Sequence, residues 1–268
     1  MLKRIVSSLI GLPIVIAILI FVNKYIFDVI IAVIAVIALH EYYSAFDKEG
    51  KNKGIRWIGY LAATLIAFIH IVPEQYMMHM VLYSIPTIVI LLFVQIIATE
   101  MKYNIKDISI ILFGLAYVVL FTSFLAILRE KDNGRILIWF IFVVAWGTDV
   151  SAYFIGRKFG KHKFTKISPN KSIEGCIAGI IGAVFFTAVY ALICNNFFNT
   201  NFNYLTVAIV AIVMSLISQI GDLAASSIKR YTDIKDFGNL IPGHGGILDR
   251  FDSVIFIAPF AYFLLMLI

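Results

Sequence analysis

Apolar runs long enough to cross a bilayer recur along all 268 residues of this chain. A spanning helix needs about 20 such residues, and the runs are Ile5–Val22, Tyr25–Tyr43, Trp57–Val72, Met80–Ala98, Ile108–Leu128, Ile136–Gly156, Ile173–Cys194, Tyr204–Gly221 and Val254–Ile268. Backbone groups in lipid have no water to bond, so only helices or a closed barrel can span. Continuous runs, rather than alternating ten-residue segments, select helices. The expectation is an all-α, polytopic transmembrane helical bundle of about nine helices. The second and last runs have the shortest purely apolar cores. No soluble domain fits between the runs, so residues 1–268 form a single integral membrane domain. Lys3 and Arg4 before Ile5–Val22 imitate a signal peptide, but the run is longer than a signal core and has no small-x-small cleavage site. It is read as a retained helix.

Charge orients the bundle. Of 22 Lys and Arg, only Lys24, Arg129, Lys131 and Arg135 fall in outside loops when the N-terminus is placed in the cytoplasm. That asymmetry favours a cytoplasmic N-terminus, and an odd number of helices then leaves the C-terminus outside. The net charge of +6 is accounted for by these loops, and no basic domain with interleaved aromatics exists for nucleic acid. Cys176 and Cys194 lie on one expected helix, roughly 27 Å apart along its axis, too far for a disulfide between them. His40, Glu41 and His70 near helix ends are read as interfacial anchors, and Tyr42 and Tyr43 as part of an aromatic belt.

The chain is 61% hydrophobic and 14% charged, yet polar residues concentrate between Ser226 and Asp252 and in a second loop, 157–175. Both face the compartment that holds nucleoside triphosphates. Polar residues beside lipid are expensive to keep, which marks these stretches as functional. Asp149 sits within an apolar helix, Asp222 ends another, and Asp249 and Asp252 are spaced to share a helical face. Carboxylates with no Cys- or His-rich cluster favour a hard divalent ion such as Mg²⁺. Pairing with a nearby Lys or Arg is the alternative for any single acid. If the eighth helix continues past Gly221, then Asp222, Ser226, Lys229 and Asp233 form one stripe. Gly243-His244-Gly245-Gly246 reads as a turn whose amides can approach an anion, before a helix starting near Leu248. Lys229, Arg230, Lys235 and Arg250 surround it in sequence. In the second loop Ser172 is placed to cap the seventh helix, with Lys171 at the positive end of its dipole and Glu174 as a dipole partner. The spacing of Gly, Lys and Ser is not that of a Walker A loop.

The residues from Ser226 to Asp252 resemble the signature of the phosphatidate cytidylyltransferase (CDP-diacylglycerol synthase) family. Ser226-Ser227-Ile228-Lys229-Arg230, Lys235-Asp236-Phe237-Gly238 and Pro242-Gly243-His244-Gly245-Gly246-Ile247-Leu248-Asp249-Arg250-Phe251-Asp252 fill every fixed position. Ser168-Pro169-Asn170-Lys171-Ser172 with Glu174-Gly175, and Gly147-Thr148-Asp149, look like the family's other polar motifs. The resemblance implies transfer of CMP from CTP to phosphatidic acid, giving CDP-diacylglycerol and pyrophosphate, with Mg²⁺ and room for a second monovalent or divalent cation. On that basis Asp222 and Asp249 are expected to hold the metal, helped by Asp149 and Asp252. Lys171, Ser172, Lys229, Arg230, Lys235, Arg250 and Ser226 are expected around the triphosphate or the lipid phosphate, and His244, Gly245 and Gly246 in a phosphate cradle. The expected catalytic set is Asp222, Asp249, Lys229, Arg250 and His244. The implied setting is the plasma membrane, with active-site loops in the cytoplasm; a homodimer is carried as a candidate assembly.

Two other readings stand beside it. A CTP-dependent polyprenol kinase would release CDP. A cation-coupled transporter would line an ion path with its acids, but the polar residues pool on one side and no pair of broken helices appears in matching halves.

Overall fold

A computed structural model describes the backbone of residues 2–48 and 50–268, and their side chains except at 2–8, 10, 74, 77, 78, 80 and 81. The side chains of Lys3, Arg4 and Met80, which entered the charge count and the helix boundaries, therefore lie outside the described residues. Among the described residues there is no strand. Each expected apolar run is helical: α1 (Leu2–Phe21), α2 (Lys24–Phe46), α3 (Trp57–Thr64) extended by a 3₁₀ segment to Ile71, α4 (Glu74–Ala98), α5 (Ile105–Gly114) joined through a π-helical stretch, Leu115–Leu120, to α6 (Phe121–Glu130), α7 (Gly134–Phe159), α8 (Ile173–Phe197), α9 (Tyr204–Tyr231) and α10 (Leu248–Leu264). Among the described residues six stretches are long and apolar enough to cross a membrane, and they include the second and last. The shorter apolar helices are Gly11–Phe21, Trp57–Ile71 and Leu82–Ala98.

The chain divides into two compact units. The first comprises residues 1–130 and 236–249, the second residues 131–235 and 250–268. In the first, α2 buries Phe27, Ile31, Ala35, Ala38 and Tyr42, whose spacing of three and four residues makes one helical stripe. Tyr42 and Tyr43 are each only 1% exposed. They are core residues, not an interfacial belt, because glycines make room for their rings. A Cβ at Gly59 would strike the Tyr43 hydroxyl, and one at Gly114 would sit 2.8 Å from the Tyr42 ring. After α2, Asp47 accepts from the backbone N–H groups of Lys51 and Asn52 and pairs with Arg56 at 2.7 Å, tying the turn before α3.

His70 is not an anchor either. Its ring contacts the Asp28 carboxylate, which is fully buried, and lies 2.7 Å from Glu130, which pairs with Lys24 at 2.8 Å. Arg129, assigned to an outside loop by the charge count, belongs to the last turn of α6 and donates to the carbonyl of Val22. It is buried, and its guanidinium serves the carbonyl end of α1, where the last C=O groups have no partner within the helix.

In the second unit α7 and α8 pack along small residues, the usual device where lipid supplies no hydrophobic drive. A Cβ at Gly175 would lie 2.9 Å from the carbonyl of Ala152, and one at Gly179 3.1 Å from that of Thr148. Thr148 bonds Ser215 of α9 at 2.8 Å, and Gln219 of α9 donates to the carbonyl of Cys176 in α8. Cys176 and Cys194 both lie on α8 as free thiols.

Candidate active site

Helix α9 does continue past Gly221, to Tyr231, and so carries Asp222, Ser226, Lys229 and Arg230 on one rigid element. Asp233 leaves the stripe: it follows the C-cap Thr232 and has φ 54°. At Gly221 the backbone of α10 comes close, since a Cβ there would meet Phe256 at 2.6 Å and the carbonyl of Asp252 at 3.1 Å. This absent side chain lets Asp222 and Asp252 approach.

The loop before α8 brings in a cation. Ser172 caps α8, accepting from the Gly175 N–H at 3.1 Å. Glu174 turns back to the loop, accepting from the N–H of Lys161 and of His162 and bonding the His162 ring at 2.6 Å. So held, Lys171 forms an ion pair with Asp222. Asp149, open on α7, feels the charges of Asp222, Lys171 and Arg250. Asp252, 8% exposed, feels those of Asp222, Lys229 and Asp149. The second unit thus gathers Asp149, Asp222 and Asp252 with Lys171, Lys229 and Arg250, from four segments distant in sequence. Arg230 is exposed and reaches the carbonyl of Ile167 at 3.5 Å; Lys235 is exposed.

The glycine turn and Asp249 belong to the first unit. The turn is closed by the Ile241 N–H donating to the Gly245 carbonyl and the His244 N–H to the Ile241 carbonyl, both at 2.9 Å. Gly243 and Gly245 have φ of 79° and 86°, where a side chain is strained. Asp249 is 7% exposed, and its Oδ2 accepts from the N–H of Phe237 at 2.7 Å and of Gly246 at 3.0 Å. The expected helix does begin at Leu248, but its first amides are occupied: Ile247 and Leu248 donate to Glu41 at 3.0 and 2.8 Å. Glu41 is 6% exposed, not an interfacial anchor. Its position inside an apolar helix was the only signal the sequence offered, since its partners lie more than 200 residues away.

Among the described residues, no three His, Cys, Asp or Glu side chains converge into a preformed metal cage. Mg²⁺ usually takes one or two carboxylates and completes its shell with water and substrate phosphate. Asp222, with Asp149 or Asp252 beside it, fits this donor set. Lysine and arginine among acids suit a site that must hold both a cation and phosphates.

Known proteins are similar to this chain. A sequence profile of the cytidylyltransferase family matches residues 2–268. The phosphatidate cytidylyltransferase of Bacillus subtilis (strain 168) is 32% identical over 276 residues, covering 99% of this chain and 97% of the relative. The proteins of that name from Staphylococcus epidermidis (strain ATCC 12228 / FDA PCI 1200) and Staphylococcus aureus (strain COL) are each 37% identical over 171 residues, covering 63% of this chain and 64% of theirs.

Proposed function

This chain belongs to the cytidylyltransferase family, and from that premise we propose that it transfers CMP from CTP to the phosphate of phosphatidic acid, releasing pyrophosphate and leaving CDP-diacylglycerol for phospholipid synthesis. It is a polytopic helical membrane protein and a nucleotidyltransferase. The observation that carries the substrate reading is the meeting of Asp149, Asp222 and Asp252 with Lys171, Lys229 and Arg250 in the second unit. A lipid phosphate must attack the α-phosphorus of CTP, which brings two anions together. Positioning and charge neutralisation then dominate the rate, with little covalent work left to the protein. Phosphatidate is already anionic near neutral pH, so no strong base is required.

In this reading Lys171, Lys229 and Arg250 bind and orient phosphates, with Ser172, Ser226, Arg230 and Lys235 behind them. Asp222 holds Mg²⁺, joined by Asp149 or Asp252. Bound Mg²⁺ would offset the charge of the triphosphate. The ion pair of Lys171 with Asp222 keeps both side chains extended toward each other until substrate separates them. His244, Gly245 and Gly246 shape the turn around the Asp249 carboxylate. The site faces the cytoplasm of a plasma-membrane protein whose N-terminus is inside and C-terminus outside; a homodimer is compatible with this arrangement.

The test is an assay of the detergent-purified chain with CTP, phosphatidate and Mg²⁺, following pyrophosphate and the lipid product. Pyrophosphate in step with CDP-diacylglycerol is expected. Release of CDP with a phosphorylated lipid would overturn the reading in favour of a kinase.

A further inference from the structure

We propose that Glu41 is a positioning residue for nucleotidyl transfer, holding the backbone that presents Asp249 and Arg250; the inference rests on the function proposed above. Two carboxylates divide the amides of the loop between them. Asp249 takes those of Phe237 and Gly246, and Glu41 takes those of Ile247 and Leu248. Both acids are buried, at 7% and 6% exposure.

The loop is cut to fit the Glu41 side chain. A Cβ at Gly246 would run into the Glu41 carboxylate, and one at Gly238 would lie 2.5 Å from its Oε1. Two glycines from different parts of the loop therefore leave space for one acid from α2. That acid satisfies the first amides of α10, which otherwise have no partner within the helix, and its charge complements the positive end of the helix dipole. An apolar residue at position 41 would suit a membrane helix better, because a buried acid there is expensive. What the acid secures is the register of the α10 start. Asp249 is the second residue of that helix and Arg250 the third. A shift of the start by a fraction of an ångström displaces both, and misplacement on the scale of 1 Å slows phosphoryl chemistry by about a hundredfold.

The experiment uses the full chain in detergent with CTP and phosphatidate. Glu41→Ala is expected to lower kcat by about tenfold or more while KM for CTP stays within about threefold, the pattern of lost transition-state alignment. Glu41→Gln, which keeps one acceptor oxygen, should recover part of the rate. Gly246→Ala should reproduce the kcat defect alone, because its Cβ needs the space of the carboxylate. In the double variant Glu41→Ala/Gly246→Ala the second change should add almost nothing. Hydrogen exchange of the amides between 241 and 249 should quicken in Glu41→Ala.

Unchanged kcat in Glu41→Ala, or additive losses in the double variant, would overturn the proposal. So would slow exchange in Glu41→Ala. If Glu41→Ala does not fold, Gly246→Ala and Glu41→Gln carry the same decision. An inactive wild type that still shows Glu41-dependent exchange would refute the proposed reaction while leaving the contact standing. An active wild type with indifferent Glu41 variants would do the reverse.

Discussion

Asp222 and Asp249 carry the same expectation from sequence but sit in different surroundings, and the difference is measurable. Asp222 is partly exposed and meets Lys171. An amide there preserves shape and removes charge, so Asp222→Asn should lose turnover by about a hundredfold or more while melting like the parent. Asp249 is buried and accepts two backbone N–H groups on one oxygen. If an amide nitrogen turns toward those donors, or the charge that strengthens them is lost, the loop weakens, so Asp249→Asn should lose turnover and also melt lower. Assay and thermal melting of both purified variants check this, and equal melting points would remove the loop role of Asp249. Asp47 adds a pH dependence outside the spans. Burial pushes its carboxyl up, but the amides of Asn52 and Lys51 and the Arg56 guanidinium outweigh this and hold it below its usual range. A depressed folded value means stability that is present above the ordinary carboxylate range and lost as pH falls through it, below roughly pH 4. Asp47→Asn should therefore flatten the acid limb of the melting-temperature profile; an unchanged limb would refute it. The sequence showed Asp149, Asp222 and the Lys171 loop because polar residues inside apolar runs announce themselves. It misplaced Glu41, Tyr42 and Tyr43 because a polar residue near a run's end looks alike whether it faces headgroups or a neighbouring helix. Only the glycines opposite, Gly59, Gly114, Gly238 and Gly246, distinguish the two cases.

At the scale of elements, the seam between α7 and α8 decides where Asp149 and Lys171 can be. The seam is made by Gly147, Ala152 and Gly156 on one helix and Gly175, Gly179 and Gly182 on the other, at spacings of three to five residues. Close backbones leave no slack for a branched side chain. Gly179→Val should force the helices apart against the Thr148 carbonyl, destabilising the protein by about 1–3 kcal/mol. The same separation should weaken the Thr148 to Ser215 bond and lower activity. A melt and an assay on this variant, with Ile177→Val on the exposed face of α8 as control, test the seam. Loss confined to the control would refute it. Helix existence was readable at every element because length and apolarity decide it in lipid. The seam was not, since α8 is strongly apolar and its packed face is marked only by the spacing of Gly175, Gly179 and Gly182. Helix ends were readable where a side chain caps them, as at Ser172, and only conditionally where the apolar run stops before the helix does, as at Gly221 in α9, which goes on to Tyr231.

Across the whole molecule, function depends on the polar loops facing CTP, and that depends on how many helices cross. Between Lys53 and Asp132 lie α3 with its 3₁₀ extension, α4, and the joined α5 and α6. The first of these is the doubtful crossing by length, with 15 residues from Trp57 to Ile71. Its last seven residues are 3₁₀ helix, which rises about 2.0 Å per residue instead of 1.5 Å. The stretch then reaches roughly 26 Å, against a hydrocarbon core of about 30 Å. That is close enough for modest local thinning of the bilayer to close the gap. The prediction is that three crossings separate Lys53 from Asp132. Both positions are exposed. In a chain whose Cys176 and Cys194 are replaced, Lys53→Cys should react with a membrane-impermeant maleimide only after cells are opened. Asp132→Cys should react in intact cells. Labelling of both on one side would mean that one helix turns back, which would also reverse the side assigned to every later loop or the N-terminus. The reversed pattern would put Lys171, Asp222 and Arg250 where nucleoside triphosphates are absent, and the proposed reaction could not be this protein's work in the cell.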